Sequence, residues 1–422
     1  MHTEVAIIGA GLAGLTCARR LAKAGRDILL VEGDARVGGR VQTDEYEGFL
    51  LDRGFQVLQK AYPTVRQLLD YRALDLKSYP AGARIRAGGR FQVFAHPLRS
   101  PQYLIETLSA RIGTIGDRLR LLKLARAVCR KPLEQLFEGE EMLARDYLEH
   151  FGFSQDMIER FFVPFFAGIC LDPSIRVTHR FLLFVLRMFA QDDVAVPARG
   201  IGQIPLQLAE RIPAGRILLG SPVAAIDGTT LILEEGGVVS CEALVVATPG
   251  PETARLLGQE PIMESCREIC LYFSAAESPM GDPLLVLNGE RRGLVNNVSL
   301  PSLVSAAYAP PGETLIAAVI PGDHGLSDRD AERTARDELA DWFGPQVQSW
   351  RLLRSYDIRH ALPRPVPPTR SPFSSQPDLG NGCFISGEYG SLPSIESAMR
   401  SGVRTAEAVE RFLGSHRGSA SP

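Results

Sequence analysis

Gly9, Gly11 and Gly14 follow an apolar run, Val5 to Ile8, in the order G-x-G-x-x-G, and an acid, Glu32, stands further along the chain. Glycines at this spacing suit the holding of a dinucleotide. The first allows a tight turn, the second lets backbone approach a pyrophosphate, and the third lets a helix pack closely on its strand. Leu12 and Ala13 sit between them, where N–H groups at a helix start would face the phosphates. Glu32 lies at roughly the separation of ~20 residues at which an acid meets ribose hydroxyls, and its charge would repel the 2′-phosphate of NADP.

Positioning these residues requires a βαβ unit. Val5 to Ile8 reads as a strand buried on both faces of a parallel sheet, and Leu12 to Ala24 as the helix. Gly25 would end that helix, and Ile28 to Val31 would form the second strand.

The next residues, Arg36-Val37-Gly38-Gly39-Arg40-Val41, resemble the GG-R segment of FAD enzymes in the amine oxidase, phytoene desaturase and protoporphyrinogen oxidase superfamily. The resemblance implies that Gly38 and Gly39 bring backbone to the flavin pyrophosphate and that Arg40 lies along it. An anion gains from such donors and a fixed guanidinium. Further segments resemble the same family. Glu47 to Gln56 is similar to its G-x-x-x-D-x-G segment, which implies that Gly54 and Phe55 run beneath the flavin ring, with Arg53 and Gln56 facing ring or substrate. Val223 matches the position that gives the adenine a backbone contact. Phe384 to Ala398 resembles the closing strand, turn and helix, so that Gly387 and Glu388 would meet the ribityl side and Ser394 and Ile395 the flavin carbonyl end. Pro197 to Pro205 departs from the family pattern, with Arg199 in place of a glycine and Ile201 in place of methionine.

The implied fold is α/β: a Rossmann-like FAD-binding domain, built from a parallel sheet plus a β-meander, with an inserted α+β substrate domain. We expect the FAD-binding domain at 1–82, 196–262 and 372–422, and the substrate domain at 83–195 and 263–371.

The 422 residues are 45% hydrophobic and 23% charged, a globular balance that accommodates two cores. A net charge of −3 gives no global attraction to nucleic acid. Seven cysteines with no C-x-x-C spacing point to reduced thiols, no metal site and a cytoplasmic setting. The start, MHTEVAIIG, lacks a basic segment before its apolar run, so a strand is expected there and not a signal peptide. No run of ~18 apolar residues predicts a membrane span.

Residues 97–193 read as helical and apolar, with nine phenylalanines between Phe151 and Phe189. Most of these should be core. One helix, Asp117 to Lys131, places Leu121, Leu122, Leu124, Ala125, Val128 and Cys129 on one face and Arg120, Lys123, Arg126, Arg130 and Lys131 on the other. Two readings stay open for it, a solvated basic face or a peripheral contact with an anionic membrane. Nothing in the sequence sets an oligomeric state.

Within the family, amine oxidases use an aromatic cage and a lysine near the flavin. Here Ser394 takes a cage position, and Arg267-Glu268-Ile269-Cys270 offers no lysine. The resemblance therefore lies closer to the desaturase-like branch, and the expected activity is hydride removal from an activated C–H of a hydrophobic, isoprenoid or carotenoid-like substrate. Arg53, Tyr389 and His360 are candidate proton acceptors, and O2 or a quinone is the expected electron acceptor, since no second dinucleotide motif is present. The alternatives are a protoporphyrinogen oxidase-like tetrapyrrole oxidase, an amine oxidase, and a non-catalytic isoprenoid-binding escort protein on the same fold.

Overall fold

The computed structural model describes residues 1–261, 263–374, 376–387 and 392–418, with side chains of the last helix described to residue 415. Two sheets organise the chain. The first runs in the order Ile217–Leu218, Ile28–Val31, His2–Ile8, Val238–Val246, Thr230–Leu233, Val223–Asp227, and Cys383–Ile385 also pairs with Val238–Val246. His2–Ile8 is parallel to both of its neighbours, with Val5 opposite Ile28 on one side and Ala243 on the other. Strands with both faces of the sheet covered are apolar throughout, and alternate residues here enter two separate cores. Ile28–Val31 and Ala243–Val246 are accordingly buried at every residue. The last three strands of that order form the antiparallel meander.

The second sheet runs Arg351–Pro363, Ser265–Ala275, Thr314–Pro321, Asn297–Ser299, Leu285–Asn288, Gly82–Ala87, Arg90–Ala95. It is antiparallel except where Leu285–Asn288 lies parallel to Gly82–Ala87. The observed architecture is the expected mixed α/β fold of a parallel sheet with a meander beside a largely antiparallel sheet.

The helices between residues 115 and 191 pack around one apolar core that includes Phe162, Phe166, Phe181 and Phe184. A separate core beneath the first sheet unites the first helix, Leu12–Lys23, with the last, Ile395–Gly418, through Leu15, Cys17 and Leu21 on one side and Met399, Val409 and Leu413 on the other. Those two helices meet closely. A Cβ on Gly402 would overlap the Ala13 carbonyl oxygen and stand 2.8 Å from Thr16 Cβ. Arg26, just past the first helix, bonds Glu410 at 2.8 Å and Glu4 at 2.7 Å.

The basic helix spans Ile115–Arg130 and opens with a capping box between Thr114 and Asp117. Leu124 and Val128 are buried as expected, but Leu122 is exposed, together with Ile115 and Leu119. The helix carries two apolar stripes on different sides, and the protein covers only one. Among the described residues no helix is long and apolar enough to cross a membrane.

Candidate cofactor and active site

At the C-terminal end of the first strand the three glycines meet different surroundings. Gly9 has φ +100, and a Cβ there would stand 2.8 Å from the Ala247 carbonyl oxygen. A Cβ on Gly14 would overlap the carbonyl oxygen of Gly9, so the third glycine sets how closely helix and strand approach. Gly11 is different. A Cβ there meets nothing within 4 Å, so open space lies above it. Gly11 is also the N-cap of the first helix, no side chain caps that end, and its first turn carries no acid. The N–H groups of Leu12, Ala13 and Gly14 thus start a helix with donors and a positive dipole end directed at an opening. That combination fits a diphosphate.

Gly38 donates its N–H to the Ala10 carbonyl at 2.8 Å, and a Cβ on Gly39 would lie 3.4 Å from Gly11 Cα. The second glycine pair therefore closes on the first loop. Glu32 accepts from Ala10 N at 2.6 Å and Asp34 N at 2.8 Å, holding the ends of two strands together. Ser221 N donates to the Glu32 carbonyl at 2.8 Å, which brings the start of the meander, and with it buried Val223, beside the acid. The Val223 carbonyl accepts from Arg255 at 2.7 Å. Arg40 donates Nη1 to the Ala361 carbonyl at 2.7 Å, tying the cradle to the second sheet.

The chain's far end meets the same cradle. Gly387, with φ +107, donates to Ser401 Oγ at 2.8 Å, and a Cβ on it would be 3.7 Å from Ala13 Cβ. Ser394 Oγ accepts from Ser397 N at 3.0 Å at the start of the last helix, whose first residue, Ile395, packs on the core of the first sheet. Glu388 and Tyr389 lie outside the described residues.

The segment from Asp52 to Gln56 crosses to the second sheet. Asp52 is buried and accepts from Thr43 at 2.6 Å, Tyr308 at 2.8 Å and the Ile201 N–H at 3.0 Å. Burial outweighs these bonds and pushes its carboxyl up to about 6. Thr43 also explains why two glycines follow Arg199, because a Cβ on Gly200 or Gly202 would come within 2.8 Å of it. Arg199 itself is exposed. Arg53 faces Asp44 at 3.3 Å and Asp34 at 3.9 Å, and Gln56 donates to the Arg40 carbonyl at 2.8 Å. Phe55 meets Tyr79 edge-on at 6.3 Å between ring centroids. His360 is exposed on the strand Arg351–Pro363. Arg53 and His360 are thus not brought into one buried cluster.

One buried acid escaped the sequence reading. Glu268 is 5% exposed, its carboxyl makes no hydrogen bond to any described residue, and it fills the space that a side chain on Gly54 would need, beside Ile358. Burial alone pushes its carboxyl up to about 8. Its signal was present in the strand Ser265–Ala275, where Cys266, Glu268, Cys270 and Tyr272 share a face by alternation and only the acid is out of place. A group with this pKa can hold a proton at neutral pH and exchange it near pH 8. Among the described residues no cluster of His, Cys, Asp and Glu could hold a metal ion.

A family model described as flavin containing amine oxidoreductase matches residues 12–410. Protoporphyrinogen oxidase 2 of Arabidopsis thaliana is 28% identical over 183 residues, 42% of this chain and 35% of that protein. Phytoene dehydrogenase of Streptomyces griseus is 27% identical over 290 residues, 61% of this chain and 56% of its own length. The 15-cis-phytoene desaturase of Narcissus pseudonarcissus is 23% identical over 467 residues, 96% of this chain and 79% of that protein. The first two alignments thus span 35% and 56% of the relatives concerned. Among solved structures, a putrescine oxidase variant superposes with TM-score 0.70 at 16% identity, over 98% of this chain and 99% of that one. Reduced UDP-galactopyranose mutase gives 0.69 at 17%, over 98% and 96%. At such identities these two structures share the fold.

Proposed function

The chain belongs to the flavin containing amine oxidoreductase family, and from that premise we propose that it binds FAD and removes hydride from an activated C–H of a hydrophobic substrate of isoprenoid or carotenoid type. The observation that carries the substrate class is a row of half-buried rings. Phe94 lies 4.8 Å from Phe161, Phe161 lies 5.5 Å from Phe165, and Phe165 lies 5.0 Å from Phe189, between centroids. None of the four is fully covered by protein. Aromatic surface of this extent suits an extended apolar molecule better than a small polar one.

The residues at hand fit the cofactor. The uncapped helix start above Gly11, with Gly38 and Gly39 drawn against it, would hold the diphosphate. Glu32 would take the ribose and Val223 the adenine, while Gly387 and Glu388 with Ser394 and Ile395 would close the far side. Bound there, the flavin supplies hydride acceptance. The chain's own part is to orient the substrate, exclude water and take up the proton lost from the neighbouring carbon as the new double bond forms. Glu268 suits that proton better than the exposed His360 or the ion-paired Arg53, because its carboxyl is buried and makes no hydrogen bond to a described residue. Electrons would then leave to O2 or a quinone.

A primary amine is disfavoured as substrate. The strand that would carry a lysine carries Glu268, and Ser394 serves as a helix cap. The test is anaerobic photometry of the purified flavoprotein with phytoene-like lipids, a porphyrinogen and primary amines. Bleaching of bound flavin by the polyene precursor is expected. Bleaching by a porphyrinogen alone would turn the reading to a tetrapyrrole oxidase, and bleaching by an amine alone would overturn it.

A further inference from the structure

Among the described residues fifteen large apolar side chains are exposed, and seven of them fall between residues 98 and 122: Leu98, Leu104, Ile105, Leu108, Ile115, Leu119 and Leu122. The other eight are scattered over the rest of the chain. Ile105 is 83% exposed, Ile115 78% and Leu108 67%, values at which the side chain contributes nothing to the protein's own core.

Six of the seven lie on two helices that the fold ties together. Thr107 is buried and accepts from the Ala95 N–H at 3.1 Å, which turns Ile105 and Leu108 of the helix Leu104–Ser109 outward. Arg118 donates to the Ala110 carbonyl at 2.7 Å and so fastens the end of that short helix to the first turns of Ile115–Arg130. On the longer helix, Ile115, Leu119 and Leu122 fall at i, i+4 and i+7, roughly one stripe at 3.6 residues per turn. Leu124 and Val128 take the other side and are buried.

Charge distinguishes this segment from the chain as a whole. Residues 98–131 contain eight basic side chains and two acids, Glu106 and Asp117, in a chain of net charge −3. Asp117 is buried in the capping box, which leaves Glu106 as the exposed acid. Lys123, Arg126 and Arg130 lie exposed along the same helix beyond the apolar stripe.

We propose that this face, with Ile105, Leu108, Ile115 and Leu119 at its centre and Lys123, Arg126 and Arg130 at its edge, docks the protein on an anionic lipid bilayer. The apolar side chains enter the boundary between headgroups and acyl chains, and the cations meet the headgroups. A second protein copy would bring the same cations against each other, so charge favours the bilayer. The inference stands apart from the redox reading, since binding is measured without turnover.

The experiment is cosedimentation of the full-length flavin-loaded protein with vesicles of phosphatidylglycerol and phosphatidylcholine, and with vesicles of phosphatidylcholine alone. Binding is expected to the anionic vesicles, with loss on raising salt. I105E/I115E/L119E is expected to bind roughly tenfold less tightly or worse, and K123E/R126E to lose the preference for anionic lipid. Unchanged visible absorption shows that both variants are folded. Failure of the wild-type protein to sediment with anionic vesicles, or sedimentation of the triple variant to the same extent, would overturn the proposal. So would a wild-type dimer in light scattering that the triple variant dissociates, which would assign the face to self-association.

Discussion

Glu268 occupies the room that Gly54 leaves by having no side chain. Gly54 lies in the bend that follows the strand Phe49–Asp52 and Glu268 in the strand Ser265–Ala275, with the carboxyl lying where a Cβ on residue 54 would be. The glycine also has φ +88, a conformation that other residues adopt with strain. Gly54→Ala is therefore expected to lower stability by about 2 kcal/mol or more, by combining backbone strain with displacement of a buried acid. Denaturant unfolding with flavin content measured in parallel checks this.

Two buried acids tie stability to pH with a defined sign. Asp52 is raised from 3.8 to about 6 and Glu268 from 4.5 to about 8, so between the lower and upper values the folded chain holds protons that the unfolded chain has released. Stability from these groups is complete below about pH 4 and falls as pH rises through 6 and then 8. Melting temperature followed from pH 5 to pH 9 is expected to decline, and Glu268→Gln to flatten the upper part of the decline. A curve for Glu268→Gln that parallels wild type would contradict the assignment.

The same substitution separates proton handling from packing. Glutamine keeps the shape but cannot accept a proton, so the rate of flavin reduction is expected to fall by about 10²–10⁴-fold and to lose its rise toward pH 8. Flavin affinity should stay near wild type. Stopped-flow reduction across pH, with dissociation of FAD measured separately, reads both.

Gly14→Ala is expected to pry the first helix from its strand, since the added carbon overlaps the Gly9 carbonyl. Flavin content of the purified variant should drop well below one per chain, with secondary structure retained by circular dichroism.

Glu396 is fully buried and accepts from the N–H groups of Thr64 at 2.9 Å and Val65 at 3.2 Å while bonding Arg400 at 2.6 Å. It supplies from the last helix the anion that the short helix Pro63–Leu68 lacks at its own start. Glu396→Ala is expected to cost about 3–5 kcal/mol, because Arg400 and two N–H groups lose their partner together. Glu396→Gln should cost less, and equal losses would show that the charge is irrelevant.

The opening βαβ unit was legible because each of its residues acts locally. Gly14 answers to Gly9 five positions earlier, Gly9 to the turn that it makes at φ +100, and Ile28–Val31 shows its burial in its own unbroken apolar run. The meander and the strand Thr314–Pro321 were legible for the same reason, through period and punctuation. Glu268 was not, since its burial depends on a glycine more than two hundred residues away. Leu122 shows a different limit of sequence pattern. Periodicity reveals which residues share a side of a helix, and the rest of the protein decides which side is covered. In Ile115–Arg130 two sides are apolar, and the covered one is that of Leu124 and Val128.

The contact of Gly402 with Ala13 gives the cradle an order of assembly. During synthesis the glycine loop emerges first, yet the surface that backs it arrives with residues near 400, almost four hundred peptide bonds later. Until then the apolar side of the first helix, with Leu15, Cys17 and Leu21, lacks its partners Met399, Val409 and Leu413. A chain interrupted before that point keeps the dinucleotide motif intact and is expected to lose the backing that the proposed flavin site requires. Flavin retention is thereby expected to report that translation has passed Leu413 in the last helix.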